Sequence, residues 1–348
     1  GLPLAAEYGG FGGDGVDTLV VMEAFGRNLV VEPYVATVLL CGGLINQAGS
    51  AAQRSHWLPR IAAGDALLAF AHGEPAARHD LRYVGLKAER KGAGYVLSGN
   101  KAVVLHGGQA QQLIVSARSE GETRSESGVS LFLVDAERAG VKRRDYATID
   151  GMRAAEIAFE QVSVDEDALI GAAGNGGELI DCIIDRANAA LCAEALGAMT
   201  ALYEATLVYL KTRQQFGVPI GTFQALQHRM VDVLIHLEQA RSLTYHAAFY
   251  AHAPDVAQRR RAVSAAKVQV GEAARFIGQQ AIQLHGGIGM TDELSVGHYV
   301  KRLTMINANF GNMASMAAAS LSLQPMRPSG TGPALATTMS ATLRISGS

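Results

Sequence analysis

The chain has 348 residues, of which 49% are hydrophobic and 18% are charged. A chain of this composition buries a large core and is too long for a short binding module, and about 100–200 residues per domain allow two or three domains. Thirty Lys and Arg stand against 32 Asp and Glu, which gives a formal net charge of -2. A protein with this net charge has no excess of positive charge to bind the phosphates of a nucleic acid, so nucleic acid is not an expected partner.

The cysteines and the apolar runs indicate the compartment. Cys41, Cys182 and Cys192 are an odd number without the paired spacing of metal ligands, so the sequence predicts no disulfide framework, no metal site and a reducing, cytoplasmic location. The most apolar segment, 179–199, is interrupted by charges and predicts no membrane span. The turn-rich start at Gly1, without a basic leader, predicts that the chain begins inside a domain.

The first block of the chain has helical periodicity. From Val16 to about Leu44 apolar residues recur every three or four positions, and 57–63 adds further turns before Gly64 ends them. We therefore expect an N-terminal helical domain over residues 1–65.

The middle of the chain alternates β-favouring runs with turn signals. Glycine-containing turns such as 91–94 and 98–100 separate the runs, which is typical of an antiparallel meander or barrel. We expect a central antiparallel β-barrel domain over residues 66–170. The predicted strands are 67–71, 83–87, 95–97, 102–105, 112–117, 129–134 and 155–164.

After a glycine-rich loop at 171–177 the helical period returns and continues. Segments of about 30 residues reach about 45 Å, and we expect them to pack as a C-terminal four-helix bundle over 171–323. The last residues, 324–348, are rich in Pro, Gly, Ser and Thr and predict a disordered tail. The fold class is α+β, because strands and helices do not alternate as in a Rossmann or TIM-barrel fold. The four predicted helices are 179–211, 223–252, 259–284 and 299–323.

Two motifs are the strongest local signals. The first begins at Arg213 and reads RQQFGVPI, and the second begins at Gln283 and reads QLHGGIGM. An arginine near a helix end supplies positive charge to a dinucleotide pyrophosphate, and Gly286 and Gly287 permit close backbone approach. Taken singly, each motif is explained equally well by a helix cap or an ordinary turn. A nicotinamide-nucleotide loop is excluded because no βαβ unit surrounds the glycines.

Together with Glu7-Tyr8-Gly9-Gly10 and the order of helices, strands and helices, these motifs resemble the acyl-CoA dehydrogenase family over about residues 1–323. Within it the chain is most similar to the small-subunit type of bacterial heteromeric members such as pimeloyl-CoA dehydrogenase. The resemblance implies flavin adenine dinucleotide (FAD) as cofactor, an acyl-CoA substrate that is dehydrogenated to the trans-2-enoyl-CoA, and an electron-transfer flavoprotein or similar acceptor. It also implies a homo-oligomer or a heterotetramer with a related subunit.

The resemblance also assigns residues to the flavin site. In the β block, the family pattern of an aromatic, two residues, a hydroxyl residue and Glu-Pro-Gly reads FAHGEPA from Phe70, so that Gly73 replaces the hydroxyl residue and leaves a backbone N–H. The family's Trp-Ile-Thr reads VVL from Val103, which removes stacking surface. Two further groups of residues are implied to contact FAD from different chains: Arg213, Phe216 and Gln224 from one, and Gln283, Gly286 and Gly287 from another.

The base that removes the α proton has two positions in this family. Most members have a Glu before a Gly in the loop after the second motif, but here that position is Phe310, and no Asp or Glu follows Glu293. A minority has the base on the first bundle helix directly before an Arg, which here is Asp185 before Arg186. Alternatively, Asp185 is not a base but part of a solvated stripe on the helix surface, and Arg186 is its structural ion-pair partner. The chain is then a non-catalytic partner subunit that completes the flavin site of a heteromeric enzyme.

Overall fold

The computed structural model describes residues 1–78, 80–311 and 316 and begins with short helical segments. A 3₁₀ turn (Ala6–Tyr8) precedes helix α1 (Gly15–Arg27). α1 starts where the Asp14 carboxylate accepts hydrogen bonds from the N–H groups of Val16 and Asp17, at 2.7 and 3.1 Å. This cap satisfies N–H groups that have no partner inside the helix.

The first predicted helical block is interrupted after α1, because Pro33 disfavours helical backbone at the residue before it. A π-helix (Val35–Gly42) follows and continues as α2 (Gly43–Ala48), and all eight π-helical residues are buried. Helix α3 (Ala51–Ala63) ends at Gly64, whose φ is 84°.

The middle of the chain folds into eight strands that share one sheet. They are β1 (Leu68–Ala71), β2 (Lys87–Lys91), β3 (Gly94–Leu105), β4 (Gln112–Arg118), β5 (Val129–Asp135), β6 (Val141–Ala147), β7 (Arg153–Asp165) and β8 (Leu169–Ile170). The hydrogen-bonded order is β6-β7-β3-β2-β4-β5-β8, with β1 beside β4. β1 and β2 pair with β4 in parallel, and the remaining pairs are antiparallel.

The predicted antiparallel barrel is not confirmed. Within the described residues the outermost strands β6 and β8 do not pair with each other, so the sheet stays open. It is also mixed rather than antiparallel, because the long segment 72–86 separates β1 from β2 and no hairpin joins them. This segment instead crosses the region where helices and sheet meet.

Four strands of the sheet differ from the sequence prediction. The predicted run 83–87 overlaps β2 only at Lys87, and the two-residue strand β8 lies outside the predicted runs. The runs 95–97 and 102–105 belong to the single strand β3, where Gly99 has a φ of 145° and the register against β7 shifts. Strand β6 was not predicted, because its sequence VKRRDYA is polar. None of its residues is buried and it pairs only with β7 at the edge of the sheet, so it carries no alternating apolar pattern.

Four helices follow the sheet: α4 (Gly176–Thr212), α5 (Gln224–Tyr250), α6 (Val256–His285) and α7 (Val296–Ala308). A small ribbon of β9 (Gln214–Gln215) and β10 (Val218–Pro219) lies between α4 and α5. A 3₁₀ turn (Gly286–Met290) follows α6. The predicted bundle of four long helices is not confirmed, because α7 has 13 residues. Most of the chain after 311 lies outside the described residues, as does the predicted disordered tail 324–348.

α4 is the central helix of the core. It packs against α1, α5, α6 and α7. By length and composition alone it is apolar enough to cross a membrane, but 61% of its most apolar 18-residue window is buried inside the protein, which is the environment of a core helix. One apolar cluster joins the N-terminal helices, β1 and α4 to α7, and a second fills the sheet. The border between these two clusters is where the site lies.

Candidate functional site

A cavity of about 460 Å³ lies where the π-helix, the segment after β1, strand β3 and the end of α7 meet. We call it the central cavity. It contains both predicted β-block residues, Phe70 and Gly73, and its wall is mainly apolar. It is lined by Ala36, Leu40, Phe70, His72, Gly73, Glu74, Pro75, Arg78, Leu81, Ala102, Val103, Leu105, Met305, Ala308, Asn309, Phe310 and Gly311.

One buried ammonium group fixes the segment after β1. Lys101 on β3 is 1% exposed, and its Nζ donates to the His72 carbonyl at 3.1 Å, to Glu74 Oε1 at 2.7 Å and to Ser116 Oγ at 3.0 Å. Burial lowers the pKa of Lys101 to about 8, and the negative charge of Glu74 opposes that shift. All three ammonium donors are used, so this wall of the cavity is rigid.

Glu74 is the one carboxylate on the central cavity among the residues that the structure describes. Besides the bond from Lys101, it accepts hydrogen bonds from the N–H groups of Gly85 and Leu86, each at 3.0 Å. These bonds occupy its oxygens. Glu74 therefore holds the wall together and is not available to remove a proton from a ligand.

His72 contributes an uncharged imidazole ring to the same wall. Its ring stacks on Phe70, with centroids 5.4 Å apart and planes 3° apart, and its Nδ1 lies 2.9 Å from Ser116 Oγ. Burial and the positive charge of Lys101 lower the pKa of His72 to about 3. At neutral pH the imidazole therefore carries no charge.

The burial of His72 makes the stability of the fold depend on pH. An unfolded histidine binds a proton below about pH 6.5, whereas folded His72 stays neutral down to about pH 3. The unfolded state therefore binds more protons in this window, and stability falls as the pH decreases through 6.5. We expect a loss of about 1 kcal/mol per pH unit below about pH 6 from this group. His72→Gln is expected to remove this contribution in urea unfolding measured at about pH 7.5, 6 and 5.

The exposed His298 provides the matched control for that experiment. His298→Gln should leave the pH dependence of unfolding unchanged, because this ring is exposed to water in the folded state as well as in the unfolded state. Equal slopes for His72→Gln and the unaltered protein would contradict the buried, neutral state of His72.

Gly73 leaves little room for the hydroxyl side chain that the family pattern has at this position. Its carbonyl accepts a hydrogen bond from the Ala102 N–H at 2.8 Å, and a Cβ on Gly73 would stand 3.0 Å from the Ala102 carbonyl oxygen. A side chain would require β3 to shift by a few tenths of an ångström. The cavity therefore meets the backbone of Gly73 rather than a hydroxyl group.

The loop after α7 places Phe310 on the central cavity, where the family pattern has a Glu. Phe310 has a φ of 53°, and its carbonyl accepts a hydrogen bond from Asn188 Nδ2 at 3.2 Å. The buried Lys267 Nζ donates to the carbonyls of Ile306 and Asn309, at 2.8 and 2.9 Å. Two helices therefore fix this loop, which brings an aromatic residue and no carboxylate to the cavity.

Asp185 is not among the residues that line the central cavity. Its carboxylate is buried and accepts a hydrogen bond from Arg259 Nε at 2.9 Å. Burial raises the pKa of Asp185, and the hydrogen bond from Arg259 opposes that rise. Asp181, one turn earlier, pairs in the same way with Arg260. A structural ion pair does exist here, but it is buried rather than solvated, and its cation is Arg259 instead of Arg186.

A second cavity, of about 640 Å³, lies where α4 and α6 end. We call it the bundle-end cavity. Residues of both motifs line it in a single chain: Arg213 from the first, and Gln283, Gly286 and Gly287 from the second. Whether the two motifs serve one flavin from different chains stays a prediction. α5 returns the chain between α4 and α6, so that both helices end on the same side of the molecule.

The other two predicted flavin contacts do not line this cavity. Phe216 is 92% exposed, and its ring meets that of Phe223 edge-on with centroids 6.2 Å apart. Gln224 is exposed at the first position of α5. Their contacts with FAD remain predictions.

The lining of each cavity suits a different part of a flavin dinucleotide. A Cβ on Gly286 or Gly287 would meet no atom within 4 Å, so the space beside both glycines is open to a ligand backbone or phosphate. Arg213 supplies a cation at the same cavity. The apolar and aromatic wall of the central cavity suits a flat ring system. The residues present therefore fit FAD.

Sequence reasoning missed the buried polar groups behind the central cavity, Lys101, Ser116, Asn188 and Lys267. A signal existed for one of them. Ser116 stands within the otherwise apolar, β-favouring run 112–117, where a polar residue that is buried needs a partner. The partners come from other segments and are not marked in the sequence.

Comparison with known proteins gives the family. Three family models match in chain order: the acyl-CoA dehydrogenase N-terminal domain over 1–65, the middle domain over 69–162 and the C-terminal domain over 174–318. Mitochondrial isovaleryl-CoA dehydrogenase of Arabidopsis thaliana is 30% identical over 306 residues, which are 86% of this chain and 74% of that protein.

Two solved structures are similar over most of the chain. Butyryl-CoA dehydrogenase from Megasphaera elsdenii has a TM-score of 0.84 at 26% identity, over 92% of this chain and 86% of that one. The FAD complex of PigA has a TM-score of 0.86 at 26% identity, with the same coverage of 92% and 86%. The resemblance to the small-subunit type stays a prediction. The three domain matches and the similarity to these relatives show that the chain belongs to the acyl-CoA dehydrogenase family.

Proposed function

We propose that the chain acts in the flavin-dependent α,β-dehydrogenation of an acyl-CoA thioester to the trans-2-enoyl-CoA. The observation that carries the proposal is the central cavity, where helices, sheet and the loop after α7 converge on a rigid, mainly apolar wall. Phe70 and Gly73 would contact the ring end of FAD there, and Arg213, Gln283, Gly286 and Gly287 its phosphate end. Electrons then pass to an electron-transfer flavoprotein or a similar acceptor.

The reaction needs a carboxylate to take the α proton, and bound FAD would accept the β hydrogen as hydride. Asp185 is our candidate for the base, because it precedes Arg186 on α4 and is buried. Burial raises its pKa, which favours proton uptake. To act, the carboxylate has to exchange its bond to Arg259 for contact with the substrate.

A second candidate function is supported by the ion pair between Asp185 and Arg259. Asp185 is bonded to Arg259, Phe310 occupies the usual position of the base, and Glu74 is fully bonded. No uncommitted carboxylate therefore faces the central cavity in the described part of the chain. These observations favour a non-catalytic subunit that completes the flavin site of a Glu-bearing partner.

One experiment separates the two functions. The chain is expressed alone and together with a candidate partner, a Glu-bearing acyl-CoA dehydrogenase homologue from the same genome, and each preparation is mixed anaerobically with acyl-CoA. A catalytic chain binds FAD and its yellow colour bleaches without the partner. A non-catalytic chain gives bleaching only in the joint preparation, and there the bleaching persists when Asp185 is replaced by Asn. A lack of flavin in both preparations would refute both functions.

Arg213→Ala is expected to weaken FAD retention about ten- to a hundredfold without unfolding the protein. The arginine is exposed on the bundle-end cavity, and a charged hydrogen bond to a phosphate contributes about 1.5–3 kcal/mol. Flavin absorbance after dialysis measures the effect, and circular dichroism checks the fold. Lys211→Ala removes an exposed cation two residues earlier that does not line the cavity, so it should retain FAD. Equal retention in both variants would contradict the assignment.

We also propose that the chain assembles into a homo-oligomer or a heterotetramer. α5 exposes an apolar stripe in which Val231, Ile235 and Phe249 are 54%, 49% and 69% exposed, and they recur at helical spacing. Light scattering is expected to give at least twice the chain mass of 36.6 kDa. A stable, FAD-loaded particle with the mass of one chain would contradict it. Phe249→Asp should reduce the mass, because a charge cannot be buried there without a partner.

A further inference from the structure

A third cavity, of about 390 Å³, lies between the N-terminal segment, the π-helix and α4. We call it the N-terminal cavity. It shares no lining residue with the central cavity or the bundle-end cavity. One side of its wall is apolar and includes Leu39, Ile183 and Ala190, whereas the other side carries polar groups that include Arg186.

Arg186 is the unusual residue in this wall. Its Nε is fully buried and has no hydrogen-bond partner in the described part of the chain. The two arginines that face the same helix from α6 differ, because Arg259 holds Asp185 and Arg260 holds Asp181. A guanidinium has five N–H donors and no acceptor, and a buried donor without a partner is unfavourable. The group is therefore open to an acceptor that the described part of the chain does not supply.

Among the described residues, the other ionisable groups at the cavity form no ion pair with Arg186. The Asp14 carboxylate lines the cavity, but it accepts the N–H groups of Val16 and Asp17 as the cap of α1. His252 lines it as well, and burial together with the positive charge of Arg186 lowers its pKa. His252 is thus neutral at neutral pH and offers hydrogen bonds without competing for the anion.

We propose that the N-terminal cavity binds a small organic acid, with its carboxylate on Arg186 and its apolar body against Leu39 and Ile183. The planar guanidinium matches a carboxylate with two parallel hydrogen bonds. The apolar side of the wall requires an apolar body, which inorganic phosphate lacks. This site does not rest on the proposed dehydrogenation, because none of its residues lines either cavity assigned to FAD.

The test measures the binding of hexanoate to the full chain by titration calorimetry. Hexanoate is expected to bind at least about tenfold more tightly than hexanamide, which has the same body without the charge, and than inorganic phosphate. Arg186→Gln should weaken hexanoate binding by about tenfold or more. Arg213→Gln makes the same substitution at the bundle-end cavity and should leave hexanoate binding unchanged.

Three outcomes would overturn the proposal. These are no measurable binding of hexanoate, equal binding of hexanoate and hexanamide, and unchanged binding in Arg186→Gln. If Arg186→Gln does not fold, Arg186→Lys replaces it, because lysine keeps the charge but loses the two-pronged geometry and should still bind hexanoate more weakly. Flavin content and bleaching by acyl-CoA are measured separately, so failure here is distinguishable from failure of the proposed function.

Discussion

Replacing Asp185 with Asn is expected to slow the reduction of bound flavin by acyl-CoA by about 10²–10⁴-fold. Asn keeps the size of the side chain but cannot accept the α proton. It also loses the charge that Arg259 holds at 2.9 Å, so the free energy of unfolding is measured beside the rate. The rate is followed by anaerobic stopped-flow bleaching of the flavin in the assembled complex, and the affinity for acyl-CoA should change little.

Asp181→Asn is the matched control, because Asp181 lies one turn earlier on α4 and pairs with Arg260 in the same manner. This variant removes an ion pair but not the candidate base, so its bleaching rate should stay near that of the unaltered protein. Equal slowing in both variants would assign the effect to the ion pairs. If Asp185→Asn bleaches at the normal rate while replacement of a Glu in the partner stops the reaction, the chain is a non-catalytic subunit.

The long helices could be predicted because their apolar residues repeat at helical spacing over many turns. α4, α5 and α6 begin and end within about three residues of the predicted segments. β6 could not be predicted, since it is a polar edge strand whose pairing depends on β7 and not on its own pattern. The open sheet could not be predicted either, because closure depends on which distant strands meet.

In the candidate site too, residues that belong to a local motif could be predicted, whereas contacts with residues distant in the sequence could not. The glycines at 286 and 287 and the replacement of the usual Glu by Phe310 are visible in the sequence and stand at cavities in the structure. The partner of Asp185 is not visible, because Arg259 is 74 residues away and is followed by two further arginines, Arg260 and Arg261, that the sequence alone does not distinguish from it. A sequence motif identifies the residue but not the ion pair that restrains it.

Arg302→Met is expected to destabilise the fold by about 3–5 kcal/mol. Arg302 on α7 is 6% exposed and binds two carboxylates, Glu194 of α4 at 2.8 Å and Asp150 of the turn between β6 and β7 at 2.7 Å. Methionine fills a similar volume but leaves both charges buried without a cation, and this uncompensated charge is the source of the loss. The free energy of unfolding in urea measures it.

The neighbouring Lys301 tests whether burial causes the effect. Its ion pair with Asp292 is largely exposed, so Lys301→Met should cost less than about 1 kcal/mol. Adding Glu194→Gln and Asp150→Asn to Arg302→Met removes the stranded charges and should recover part of the stability. A loss in the single variant no larger than that of Lys301→Met would refute the argument. Because α7 ends in the residues that line the central cavity, the single variant should also lose FAD before it unfolds, whereas Lys301→Met should retain it.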